Sequence, residues 1–324
     1  MLKLRRILCP HSVLPGAGVL ILSLAMIVTV IMTARAQTAP HKISGKGTTR
    51  MTSEEIDALW DYDDPAKSYE KFQSALVSAP GSADEIRTQI ARSLGLQRKF
   101  DEGRAELANI SAKPSTVVAV RAALEYGRLD NSSGNKAAAE PHFLEAYHLA
   151  KAHKLDFYAV DAAHMLGIVT TDKASLDWNE KAIEMAEASK DKRARNWMGS
   201  LLNNTGWTYH EMGEYGKALS LFQRALEFQK EQGNETRIRI ANWTIGRCLR
   251  SLKRYDEALA IQRSLEGGPS AGYIEEELGE LLLVTDHAEQ SKPYFKRAYD
   301  LLSKDIWLKA NEAPRLERMK KLSE

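Results

Sequence analysis

Between Ser53 and Lys304, apolar residues recur at helical spacing with polar and charged positions between them, and the pattern restarts at nearly constant intervals. Gly127, Gly167, Gly206 and Gly246 mark the restarts at spacings of 40, 39 and 40 residues, and Gly279 follows after 33. Around Gly206 the reading is explicit. Leu202 to Tyr209 forms one helix, Gly213-Glu214-Tyr215 turns the chain, and Ala218, Phe222 and Ala225 stripe a second helix at i, i+4 and i+7. A small residue in each helix lets two backbones approach, and the aromatic fills the space between one pair and the next. A period of this size predicts a solenoid of helix pairs, in which each unit buries its apolar face on its neighbours.

The order of these residues resembles the tetratricopeptide repeat family. Gly127, Gly134, Ala139, Phe143 and Ala146 follow that family's pattern, as do Gly279, Phe295 and Ala298, with Ser291 in place of an alanine. Gly246, Tyr255 and Ala258 match, but Gln262 and Leu265 stand where Phe and Ala are expected. Ala91, Phe100 and Leu107 give a weaker copy, and Phe72, Ala75 and Pro80 the back half of another. The unit at Gly167 departs most: its second helix, marked by Ala182, arrives four residues early and requires a tighter turn or a shorter first helix. The resemblance implies an all-α fold, a right-handed α-solenoid of about seven helix pairs over residues 53–304. The run Gly267 to Gly272 separates the sixth unit from the seventh. Residues 305–324 supply a capping helix, opened by Pro314, in which Leu316, Met319 and Leu322 face inward.

The N-terminus is different in kind. Lys3, Arg5 and Arg6 precede the apolar stretch Val19 to Met32, and Ala34-Arg35-Ala36 supplies small residues two apart. That is the form of a signal peptide over residues 1–36, cleaved before Gln37, and it places the chain in the periplasm or outside the cell. The uncharged run from Ile7 to Ala34 is also long enough to span a bilayer, which would instead anchor the chain in the inner membrane through residues 7–34. Arg35, Lys42, Lys46 and Arg50 follow with no acid before Glu54, which weakens the charge asymmetry that orients such a segment. Residues 37–52 read as a flexible tether. Cleavage removes four basic residues and no acid, so a chain with 45 basic and 43 acidic residues becomes slightly acidic. Mixed, nearly balanced charge gives no case for nucleic acid. Only Cys248 survives cleavage, so no disulfide forms within the mature chain.

In the resembled family the first helix of each pair lines the concave face. Counting i, i+4, i+7 on those helices gives Asn203, Trp207 and His210, then Trp243, Arg247 and Arg250. The two preceding units give His164, Ile168 and Thr171, and Leu124, Arg128 and Asn131; Arg121 and Asp161 sit one turn earlier, and Glu276 and Glu280 extend the row. Arg128, His164, Asn203, Trp207, His210, Trp243, Arg247 and Arg250 are therefore the candidate partner-binding residues. Aromatics cover apolar side chains, arginines pair with carboxylates, and asparagine bonds a peptide backbone, a set that suits an extended peptide. The same residues also suit plain packing, with the tryptophans against neighbouring helices and the arginines paired to Asp161 and the glutamates. A known variant of the family clamps a C-terminal carboxylate with Lys, Asn and Arg on successive first helices. Asn204 matches one such place, but Trp207 and Trp243 occupy others, so that specificity does not carry over.

No catalytic constellation emerges. His210-Glu211 opens a zinc-protease pattern, but Glu214 stands where the second histidine belongs. His148 and His153 fall on different helix faces, and Cys248 sits among packing residues. The expectation is a non-enzymatic scaffold without cofactor or metal, whose partner is a protein or peptide and which meets a membrane only if the N-terminal segment stays uncleaved. The competing reading is a membrane-held assembly factor that uses the ends or convex face of the stack.

Overall fold

The computed structural model describes residues 49–324 other than Asp63 and Pro269; the leader or anchor and most of the tether lie outside the described residues. The described chain is helical and forms two compact units, one ending at Leu201 and one beginning at Leu202. In the first unit, α1 (Ser53–Asp57), α2 (Pro65–Ser78), α3 (Ala83–Leu96), α4 (Phe100–Ala108), α5 (Thr116–Ser132), α6 (Lys136–Ala152), α7 (Asp156–Val169), α8 (Asp172–Ala188) and the short α9 (Lys192–Arg195) follow one another, each of the long helices packing on the next. The second is built from α10 (Met198–Glu211), α11 (Tyr215–Glu231), α12 (Glu235–Ser251), α13 (Tyr255–Ser264), α14 (Ala271–Val284), α15 (Ala288–Leu302), α16 (Ile306–Asn311) and α17 (Ala313–Leu322). The chain is thus an all-α solenoid of helix pairs. Among the described residues no helix is long and apolar enough to cross a membrane.

The periodic glycines are the points where a first helix receives a side chain from the second helix of its own pair. A Cβ at Gly127 would stand 2.5 Å from the Phe143 ring, and one at Gly206 would stand 2.5 Å from Phe222. Two units replace the ring with an amide. Gly246 faces Gln262, whose Nε2 donates to the Trp243 carbonyl at 3.1 Å, and Gly167 faces Asn179. A buried amide is tolerable at Gln262 because its N–H finds a backbone acceptor. The early second helix after Gly167 is explained by its connection. Thr170 and Thr171 are extended, and α8 starts at once, with Ser175 Oγ donating to the Gly167 carbonyl at 2.6 Å.

Five other pairs are joined by one recurring turn. The three-residue connections centred on Arg98, Gly134, Gly213, Lys253 and Asp286 each hold the central residue at positive φ. Each closes with the same backbone bond across five residues: Lys99 N to Leu94 O (2.9 Å), Asn135 N to Asp130 O (2.9 Å), Glu214 N to Tyr209 O (2.9 Å), Arg254 N to Leu249 O (3.0 Å) and His287 N to Leu282 O (2.8 Å). This is the Schellman ending, which satisfies carbonyls the helix leaves unpaired and favours glycine at its centre. Lys253 and Asp286 hold that conformation against a Cβ penalty of about 1 kcal/mol. Lys253→Gly and Asp286→Gly are each expected to raise stability by about 0.5–1 kcal/mol, and Gly134→Ala to lower it by a similar amount. Urea midpoints of the three variants check this; a loss of stability in both glycine variants would show that their side chains matter more than the backbone.

Both ends are tied down. Thr49 to Thr52, assigned to the tether from composition, are held: Thr49 O accepts from Gly81 N at 3.0 Å, and Ser82 Oγ bonds both the N–H and the carbonyl of Met51 at 2.9 Å. Thr52 then caps α1 through a capping box with Glu55. Ile56, fully buried, stands sixteen residues before Phe72, where later pairs carry glycine, so α1 is the shortened first helix of the opening pair. At the other end Leu316 and Met319 of α17 are buried with Phe295, Ala298 and Leu302 of α15, and Leu322 is partly buried beside them.

Candidate binding face on the first helices

In the unit ending at Leu201, the inward row of α5 and α7 is an ionic cluster. Arg128, only 6% exposed, donates through Nη2 to both Asp161 oxygens (2.6 and 2.5 Å) and through Nη1 to Glu125 (2.5 Å). Burial works against its charge, yet Asp161 and Glu125 outweigh it and hold the guanidinium above its ordinary range. Arg121 donates to the Tyr158 hydroxyl at 2.8 Å and to Asp57 at 2.7 Å, and lies 3.3 Å from Glu85. These arginines are consumed by the protein's own carboxylates.

His164 is 1% exposed, with its ring 5.3 Å from that of Trp197. Burial pushes it down to about 4, with Arg128 acting the same way and Asp161 opposing. The unfolded imidazole titrates near its ordinary value of 6.5, above the folded one. The neutral, buried ring therefore contributes its full stability above pH ~6.5, and loses it as pH falls towards ~4. The difference amounts to about 3 kcal/mol. His164→Gln is expected to remove most of this acid sensitivity between pH 7 and 4.5, measured as the shift in denaturation midpoint of variant against wild type; equal shifts would contradict the assignment.

In the unit beginning at Leu202, three successive first helices present an aromatic row. Trp207 and Trp243 stand 6.4 Å apart by ring centroid, and Trp243 and Tyr273 6.5 Å apart. Both tryptophans are buried, so most of their surface packs against neighbours. Trp243 Nε1 donates to the Tyr273 carbonyl at 3.1 Å, whereas Trp207 Nε1 is buried with no hydrogen-bond partner among the described residues. One turn along, a polar row runs beside it. His210 Nε2 lies 2.9 Å from Ser251 Oγ, which accepts from Arg247 Nη1 at 2.9 Å. Arg247 Nε is 3.0 Å from Glu277, and Arg250 grips the same carboxylate with two bonds at 2.8 and 2.9 Å. Glu277 is held below its usual range because Arg250 and Arg247 overcome the effect of burial. Its neighbours Glu276 and Glu280 pair instead with Arg315 and Arg318 of α17.

Five of the eight residues singled out from the sequence thus come together here: Trp207, His210, Trp243, Arg247 and Arg250. Asn203 is half-buried on α10, with its amide 3.3 Å from Asn204 Oδ1; Arg128 and His164 belong to the other cluster. Arg247 and Arg250 keep 13% and 17% of their side chains in solvent. Glu277 and Ser251 escaped the sequence reading because they sit off the i, i+4, i+7 row, and Glu277 adjoins a glutamate already on it. Among the described residues no cluster of His, Cys, Asp and Glu is arranged to hold a metal ion.

The tetratricopeptide repeat family model matches residues 199–231, the span of α10 and α11. No curated protein matches the sequence. Among solved structures, the apo form of the quorum sensor NprR from B. thuringiensis is similar at a TM-score of 0.56 and 15% identity, over 82% of this chain and 78% of that one. NprR in complex with its cognate peptide NprX gives 0.50 at 14%, over 83% and 82%. The STAND protein PH0952 from Pyrococcus horikoshii, which carries a tetratricopeptide repeat sensor, gives 0.55 at 14%; the match covers 82% of this chain but 49% of that protein. At such identities the likeness is one of fold.

Proposed function

We propose that the chain, whose residues 199–231 match the tetratricopeptide repeat family model, is a non-enzymatic interaction scaffold and that the face formed by α10, α12 and α14 binds an extended peptide segment of a partner protein. The observation that carries this reading is the sharing of Glu277 by Arg247 and Arg250. Two guanidiniums on one carboxylate leave a positive charge unspent, at side chains that still reach solvent. A peptide supplies the missing group, a carboxylate side chain for Arg247. NprR, similar in fold, was solved with a cognate peptide, which supports the same class of ligand. The charged n-region, apolar stretch and Ala34-Arg35-Ala36 of the N-terminus support action outside the cytoplasm after cleavage before Gln37.

The test is a panel of synthetic peptides, acidic against neutral, titrated by fluorescence anisotropy. Arg247→Ala is expected to weaken the best acidic binder about tenfold or more, the scale of a charge-assisted hydrogen bond, with Asn203→Ala as the partly exposed neighbour on α10. Trp207 and Trp243 are poor test sites, since replacing either opens the packing. If every peptide binds Arg247→Ala as it binds wild type, the face is not the working surface and the ends or convex side take its place.

A further inference from the structure

In the unit ending at Leu201, contacts between successive first helices make a closed circuit. Ser53 Oγ donates to Glu85 at 2.5 Å, joining α1 to α3, and Arg92 stands 3.6 Å from Glu125, joining α3 to α5. The Arg128–Asp161 pair joins α5 to α7. The guanidinium of Arg193 in α9 lies 4.8 Å over the Phe157 ring of α7. The circuit then returns to its start, because Arg193 Nη1 is 3.5 Å from Glu54 and 3.9 Å from Asp57 of α1.

That last link differs from the others. The Arg128–Asp161 pair is buried and short, whereas Arg193 is 27% exposed and Glu54 67% exposed, at ion-pair distances too long for a hydrogen bond. Arg193 Nη1 makes no hydrogen bond among the described residues. Its other anchors lie within its own turn, Asp191 at 3.6 Å, and in the Phe157 ring. Asp57, by contrast, keeps its 2.7 Å bond to Arg121 whatever Arg193 does. The contact of Arg193 with Glu54 is therefore a loose link between α9 and α1, beside the tighter Asp57–Arg121–Tyr158 bridge that holds α1 to α5 and α7.

We propose that Arg193 is a clasp, and that an acidic segment of a partner opens it by taking Arg193 in place of Glu54. This rests on the reading of the first-helix faces as interaction surfaces and adds an autoinhibitory contact to them. Charge complementarity names the partner. Glu54 and Asp57, carboxylates three residues apart on one helical turn, are the pattern Arg193 already meets, and a partner offering a better-aligned carboxylate makes the hydrogen bond that Glu54 misses. The clasp is poised because a long ion pair to a mostly exposed carboxylate shifts an equilibrium only a few-fold, within reach of a modest differential affinity.

The test uses the full chain and a fluorescein-labelled peptide copying residues 52–62, with its scrambled sequence as control. In Glu54→Gln, amide hydrogen exchange in α9 and in residues 53–57 is expected to run about 2–5-fold faster than in wild type. The same variant is expected to bind the peptide about 2–5-fold more tightly, and Glu54→Gln/Arg193→Gln to lose that gain. Unchanged exchange in Glu54→Gln overturns the clasp. Faster exchange with no gain in peptide affinity overturns the acidic partner. Neither result bears on the α10–α12–α14 face, whose Arg247→Ala titration stands or falls separately.

Discussion

Asp161→Ala is expected to destabilise the unit ending at Leu201 by about 3–5 kcal/mol, more than any single surface change in the molecule. The reason is what remains behind. Arg128 is 6% exposed and gives Asp161 two of its hydrogen bonds; without that carboxylate it keeps only Glu125, which also faces Arg92 at 3.6 Å. A buried guanidinium short of countercharge is the costly state, far more than the pair itself is worth. Asp161→Ala/Arg128→Met is therefore expected to recover most of the loss, since it withdraws the stranded charge and fills its volume with apolar atoms. With two compact units in the chain a single unfolding transition is not assured, so the measurement is regional. Amide exchange across α5 and α7 should speed up together in the single variant and slow again in the double. A single variant that loses less than ~1 kcal/mol would mean that water reaches Arg128 and that the cluster is not the closed core it forms here.

The same cluster shows where the sequence was legible. The glycine period, the helix pairs and the odd unit at Gly167 are local or single-period signals, and each has one physical cause, a side chain of the second helix seated on a missing Cβ. Even the departures were visible, because Gln262 stands sixteen residues after Gly246 as Phe222 stands after Gly206. The first-helix face was legible only as a direction. Counting i, i+4, i+7 finds the side of α5 that carries Arg128 and offers Asp161 as a pairing partner, but nothing local decides that the pair forms or that Arg193 comes round to Glu54. Helices α1, α9 and α16 escaped for a different reason: a helix of four to six residues is too short to display a period. The candidate binding residues are thus placed by the repeat, whereas their availability is set by partners distant in sequence.

Phe143→Ala and Gly127→Ala test that cause directly, from opposite sides of one contact. The Phe143 ring is fully buried against Gly127, and its truncation is expected to cost about 3–5 kcal/mol through lost burial and the cavity left between α5 and α6. Gly127→Ala acts the other way. By helix propensity alone it should stabilise α5 by about 1 kcal/mol. Its Cβ, however, would sit 2.5 Å from Phe143 Cε1 and 2.7 Å from Cδ1, on a fully buried ring, so overpacking of about 1–3 kcal/mol prevails and the variant is expected to be less stable than wild type. Gly216→Ala is the internal control. It lies in helix α11, and a Cβ added there would meet nothing within 4 Å, so only propensity acts and stability should rise or stay level. Because the methyl and the ring compete for one space, Gly127→Ala/Phe143→Ala should be more stable than the sum of the two single losses allows. Strict additivity in that cycle, read by exchange protection of α5 and α6, would show that the glycine period has another origin than the ring it admits.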